Sequence, residues 1–125
     1  MDKPFDKWNT LKKRIHARQN IPIFHEREIW WCALGVNVGY EQDGKNDLFE
    51  RPILVLKKFN KDVLLILPLT RSKHQTVFKY DLGHNDSAVI LSQVRLISSR
   101  RLLRKMRKMT GWQFREVIVR VKQIF

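Results

Sequence analysis

"RPILVLKKFNKDVLLILPLT", residues 51–70, decides the fold. Two apolar runs, 51–59 and 62–69, flank Asn60-Lys61. Short runs of this kind, punctuated by a turn residue, read as a β-hairpin. Asn tolerates the positive φ that a two-residue primed turn demands. With Asn60 and Lys61 as the turn, cross-strand partners have residue numbers that sum to 121. Arg51 then faces Thr70, or lies within one register step of it. Two polar residues bracket the open end of an otherwise apolar ribbon.

Further strands extend outward from this hairpin. "REIWWCAL" (27–34), "TVFKY" (76–80) and "SAVILSQVRLI" (87–97) complete a set of five, the last of them bent. Trp30 and Trp31 adjoin in one strand, so one faces the core and the other outward. Gly83-His84-Asn85-Asp86 reads as a turn. Residues 2–19 read as a short helix, with Asp2 as cap, Pro4 in the first turn, and Phe5, Trp8, Leu11 and Ile15 as one apolar stripe. "TGWQFREVIVRVKQIF" (110–125) reads as a second helix. Thr110 and Gln113 fit a capping box, and Phe114, Val117, Ile118, Val121, Ile124 and Phe125 form its apolar face. No crossover helices separate the strands. The fold class expected is α+β, mainly β: a small barrel or sandwich with a C-terminal helix and an added N-terminal one. "LLRKMRKM" (102–109) has Leu103, Met106 and Met109 at three-residue spacing, which favours a helix, yet is short enough for a strand.

The chain has 125 residues, 43% of them hydrophobic, enough for one domain with a core. Its single cysteine, Cys32, reads as a small buried hydrophobe, and one cysteine suits a reducing cytosol. No apolar stretch approaches the ~20 residues of a membrane span, and the first residues lack a signal peptide's apolar region. A cytoplasmic protein without a membrane partner is expected. The formal net charge is +13, and +9 of it lies in residues 89–125. Such asymmetry favours a polyanionic partner, nucleic acid or an acidic protein, over a merely soluble basic surface.

Arg51 offers a fixed fork of donors matched to a phosphate, and the Thr70 hydroxyl can donate beside it. Glu41, in a glycine-flanked loop, adds a possible proton acceptor. RNA cleavage by its own 2′-hydroxyl needs a base, donors for the crowded phosphate and an acid for the leaving 5′ oxygen; no metal or other cofactor is required. On spacing alone, Arg51 and Thr70 are more readily read as ordinary strand-end residues, and it is their chemistry that tips the balance. The four histidines are far apart and show no metal-ligand spacing.

"EIWWCALGVNVGYEQDG", "RPILVL", "LLILPLTRS" and "VILSQVRLISSRRL", in that order, resemble the MazF/PemK toxin endoribonucleases over about residues 25–125. The resemblance implies an SH3-like barrel domain over 24–125, with 1–23 as an N-terminal helical extension, and usually a homodimer. It also implies metal-independent cleavage of single-stranded RNA, leaving a 2′,3′-cyclic phosphate, and control by an antitoxin protein, often acidic. Arg51, Thr70 and Glu41 stand at the family's Arg-Pro-Val arginine, Pro-Leu-Thr-Ser threonine and Gly-x-Glu glutamate. Gln93 and Arg95 match its Gln-(Ile/Val)-Arg. The sequence departs from many relatives in the six residues Lys45 to Glu50, in Ser92 where many carry an acid, and in Ile90 and Tyr40 where one branch has arginine and histidine. Chemistry then rests on Arg51 and Thr70 with Glu41 as base. The resemblance also makes "LLRKMRKM" a strand.

Tyr40 is the aromatic best placed to stack on an unpaired base, and Gln42, Lys45, Arg71 and Lys73 join Gln93 and Arg95 as expected RNA contacts. His74 is a weaker candidate. Arg100, Arg101, Arg104, Lys105, Arg107 and Lys108 would supply field and non-specific affinity, or a solvated or partner-docking face. Two other functions fit the same fold: a basic module that binds RNA without cutting it, and a gyrase poison of the CcdB type. The latter acts through C-terminal residues and has no need of Arg51 and Thr70.

Overall fold

The structure, a computed structural model, describes residues 2–39, 41–71, 78–83 and 87–125. Helix α1 (Phe5–His16) leads into strands β1 (Glu28–Ala33), β2 (Glu50–Lys58), β3 (Val63–Thr70), β4 (Lys79–Asp81), β5 (Ala88–Ile90), β6 (Arg95–Ser98) and β7 (Leu102–Lys108), and helix α2 (Gly111–Gln123) follows. All the strand pairings are antiparallel, and the sheet runs β4-β5-β3-β2-β1-β7, with β6 also on β3. This is an α+β, mainly β fold, and "LLRKMRKM" is strand.

The ribbon β2–β3 is its centre because both its faces are buried. Leu54, Leu56, Leu67 and Leu69 pack with Met109, Val117 and Val121 beneath α2. Ile53, Val55, Leu64 and Ile66 point the other way, against Phe24, Trp30, Cys32, Ile97 and Leu102. A strand covered on both sides needs a continuous apolar run rather than alternation, which is why "PILVL" and "LLILPL" carry so few polar residues. Trp30 is buried, and Trp31 is half-buried beneath the Arg104 guanidinium, 4.9 Å from the ring centroid. Cys32 is fully buried, and burial pushes its thiol up to about 12.

The hairpin register agrees with the spacing at its open end: Ile53 pairs with Pro68 and Leu54 with Leu67. The closed end differs. A bulge between Val55 and Lys57 shifts the register by one, and the strands stop at Lys58 and Val63. The reversal is not a two-residue primed turn. Asn60 instead turns the chain with its side chain, whose Oδ1 accepts from the amides of Asp62 at 2.8 Å and Val63 at 3.0 Å.

The expected strand 87–97 is two strands. Residues 69–70 of β3 pair with β5 and residues 63–66 with β6, so the 91–94 link leaves the β3 edge beside Leu67 and Pro68. Proline interrupts a ladder at no further cost, since it has no N–H to leave unpaired.

The helices are also shorter than expected. Pro4, not Asp2, is the N-cap of α1, without a side-chain cap, and Phe5 is half-exposed. Thr110 is the N-cap of α2, but no capping box forms. Gln113 is buried instead, and its Nε2 donates to Leu82 O at 3.3 Å. α2 ends before Phe125, which is exposed and covers nothing in this chain. The His84-Asn85-Asp86 part of the expected turn lies outside the described residues.

Candidate active-site cleft

The 91–94 link peels away from β3 and opens a cleft of about 720 Å³. Its floor is apolar, from Leu34, Ile66, Pro68 and Val94. Its rim is polar, from Asn37, Glu41, Gln42, Ser92, Gln93 and Arg95. Of the expected site residues, Glu41, Gln42, Gln93 and Arg95 therefore meet at one opening. Gln42 N donates to Gln93 Oε1 at 3.0 Å across 51 residues of sequence, fastening the β1–β2 connection to the 91–94 link.

Arg51 lies behind this rim. Its Nε donates to Asp43 O at 2.6 Å and its Nη1 to Leu69 O at 3.0 Å. It thus touches the residues next in sequence to Gln42 and Pro68, which line the cleft. Among the described residues, two of the five guanidinium donors are engaged by backbone carbonyls. The register continued from Ile53–Pro68 sets Arg51 across from Thr70, which is buried at 9% exposure. Burial lowers the Arg51 pKa, with the nearby Asp43 carboxylate opposing it.

Glu41 is exposed, and its Oε1 accepts from Val38 N at 2.9 Å. Arg71 is exposed just past the end of β3, and Lys45 is exposed in an isolated bridge with Glu50 that closes the turn 46–49. The longer 45–50 segment is thus folded on itself. Gly44 makes this possible, because a Cβ there would fall on the Phe49 carbonyl. Tyr40, Lys73 and His74 lie outside the described residues.

Arg95 and Arg101 converge on one carbonyl. Arg95 Nη1 reaches Leu34 O at 3.5 Å, and Arg101 Nη1 reaches Leu34 O at 3.4 Å and Ala33 O at 3.2 Å. Burial lowers the Arg101 pKa, and the charge of Arg95 lowers it further. The two cations thus lie side by side at the backbone of Leu34, a residue that lines the cleft. Arg104 and Lys105, read from sequence as field charges or as part of a solvated or docking face, are paired. Arg104 holds Glu50 through two contacts of 3.0 Å, and Lys105 holds Glu28 at 3.0 Å. The bond from Arg104 pulls the Glu50 carboxyl down. At Glu28 burial alone would raise the carboxyl; donors from Trp30, Lys105 and His25 N outweigh it and lower it to about 2.

Sequence reasoning missed Asn37, Asp43 and Lys3. Asp43 Oδ1 accepts from Asn37 N at 2.7 Å, and Asn37 Nδ2 donates to Gln42 O at 2.8 Å. Two glycines around Asn37, followed by Gln42 and Asp43, are a signal for such a self-bonded loop, but no local pattern points to Lys3, 40 positions before its partner Asp43.

No curated protein is similar enough in sequence to match. Solved structures match in fold. MazF (Form-I) from Deinococcus radiodurans superposes with a TM-score of 0.68 at 20% identity, covering 85% of this chain and 97% of that one. The MazE–MazF complex (Form-II) of the same organism gives 0.60 at 17%, covering 85% and 96%. An endoribonuclease in complex with its cognate antitoxin from a mycobacterial species gives 0.59 at 11%, covering 81% and 93%. Residues 25–125 match the family described as the PemK-like, MazF-like toxin of the type II toxin–antitoxin system, and the chain belongs to that family.

Proposed function

We propose that the chain is a toxin endoribonuclease that cleaves single-stranded RNA by attack of the 2′-hydroxyl on the adjacent phosphate, without a metal. Glu41 takes the 2′ proton, Thr70 donates to the phosphate, and Arg51 stabilises the crowded phosphorane with the donors its backbone bonds leave over. The new O2′–P bond replaces the P–O5′ bond, so the products are a 2′,3′-cyclic phosphate and a 5′-hydroxyl end, the 5′ oxygen taking up a proton as it leaves. Partial burial of Arg51 shifts it in the direction of a better proton donor. Gln42, Gln93 and Arg95 contact the RNA at the rim, and Tyr40, Lys45, Arg71 and Lys73 are further RNA contacts in this reading. The observation that carries this reading is the cleft where the β3 ladder splits, rimmed by Glu41, Gln93 and Arg95 and backed by Arg51. A homodimer in the cytoplasm, neutralised by an antitoxin protein, completes the proposal; one of the matching solved structures is an endoribonuclease in complex with its cognate antitoxin.

One observation favours a second reading, an RNA-binding module that does not cut: Thr70 is nearly sealed from solvent. A defined RNA incubated with the protein in excess chelator separates the two. Wild type should yield new 5′-hydroxyl ends, and Arg51→Ala should lower the rate by about two orders of magnitude or more, the scale of losing one transition-state donor. Salt-sensitive binding with no new ends from wild type would establish the second reading. Undiminished cleavage by Arg51→Ala would remove that residue's assigned role.

A further inference from the structure

The family match begins at residue 25, so α1 and the residues before it lie outside the matched segment. Two of their side chains nevertheless contact the connection that borders the cleft. Lys3 Nζ donates to Asn37 O at 2.6 Å and Gly39 O at 3.0 Å, and pairs with Asp43 Oδ2 at 2.9 Å. The Lys3 side chain is only 10% exposed, so one ammonium caps two carbonyls and a carboxylate in a place largely shielded from water. A second contact lies at the base of the same connection. The Trp8 ring covers Gly35, where a Cβ would run into the indole, and sits 5.7 Å from the Phe49 ring. Gly35 has φ +84°, a conformation that suits glycine and leaves the site open for the indole. Trp8 packs with Ala33, Val36 and Phe49, that is, with both ends of the 34–49 connection.

From these contacts we propose that the N-terminal segment is a positioning brace for the cleft: Lys3 and Trp8 hold the 34–49 connection in the form that presents Glu41 and Gln42 and fixes Arg51. The path to Arg51 is short. The Asp43 carboxylate is held by Lys3 and by Asn37 N, and the carbonyl of the same residue receives Arg51 Nε. Moving Asp43 therefore moves an acceptor that orients the guanidinium. Lys3 touches no reacting group in the proposed reaction and acts only through the connection. The inference deepens the ribonuclease reading and, for its effect on turnover, rests on it.

The test compares full-length wild type, Lys3→Met and Lys3→Arg by two readouts. The first is amide hydrogen exchange. In Lys3→Met the amides of Asn37, which donates to Asp43, and of Gly44, which donates to Gly35 O at 2.7 Å, should exchange at least about tenfold faster, the scale of losing hydrogen bonds to a charged donor, while those of 53–56 in β2 keep their wild-type rates. The second is RNA cleavage under steady-state conditions. Lys3→Met should lower kcat by about tenfold with less change in KM, and Lys3→Arg should recover most of it. Wild-type exchange at 37 and 44 in Lys3→Met overturns the brace, and so does faster exchange with kcat unchanged. If wild type cuts no RNA, the ribonuclease reading falls, and the exchange measurement alone decides whether Lys3 braces the connection.

Discussion

The β2–β3 ribbon and the 34–49 connection meet at Arg51, and they are held by different physics. The ribbon is fixed by apolar packing on both faces, and its neighbours follow from alternation of side chains along a strand. The connection buries apolar side chains only at its two ends, Leu34, Val36 and Phe49, and between them it is fixed by polar bonds: Lys3 and Asp43, Asn37 and Gln42, Gln42 and Gln93, Arg51 and Asp43. Packing of many weak contacts yields a wide, cooperative minimum, whereas a few charged or directional bonds yield a shape that one substitution can release. A cleft bordered by both has a rigid floor and a rim that can be tuned.

Substitutions at each region should separate the two kinds of support. Leu54, fully buried in the ribbon, has the largest expected effect. Leu54→Ala should cost about 2–5 kcal/mol in denaturant unfolding, lowering the midpoint for the whole domain together. A loss below about 1 kcal/mol would mean that the ribbon is not the principal source of stability. Gly44→Ala breaks the other side. The new methyl falls on the Phe49 carbonyl, so the 45–50 turn must move, at about 1–3 kcal/mol. Its mark should be local, with faster exchange in 44–50 out of proportion to the fall in overall stability.

Glu28 sharpens the contrast, because it is a polar anchor inside the regular sheet. Its carboxyl lies at about 2 in the folded chain against an ordinary 4.5. The unfolded chain therefore binds the proton more readily, and stability from this group is present above about pH 4.5 and lost as pH falls through about 2. Glu28→Gln should be less stable than wild type near neutral pH. The gap between them should narrow between about pH 5 and about pH 2.5, as read from urea midpoints. A gap independent of pH would assign the effect to lost hydrogen-bond geometry instead of charge.

The same division explains what was legible in the sequence. The strands of the ribbon, the Ile53–Pro68 register, the outer helix and the strand nature of 102–108 were readable, because apolar periodicity and an ordered set of motifs encode them. The bulge at Val55–Lys57 and the Asn60 side-chain turn were not, since both choose among local conformations of similar energy. Of the candidate site, Glu41, Gln42, Gln93 and Arg95 at one cleft followed from motifs. The Lys3–Asp43 pair, the convergence of Arg95 and Arg101 and the pairing of Arg104 and Lys105 depend on contacts across many positions, where residue type alone names no partner.

Cys32 sits in mid-sheet with no exposure and a thiol at about 12, so almost none of it is thiolate near neutrality. An alkylating reagent should therefore modify the native molecule only when β1 comes apart. Because the chain has no other sulfhydryl, the labelling rate would report openings of the sheet's core without an introduced probe.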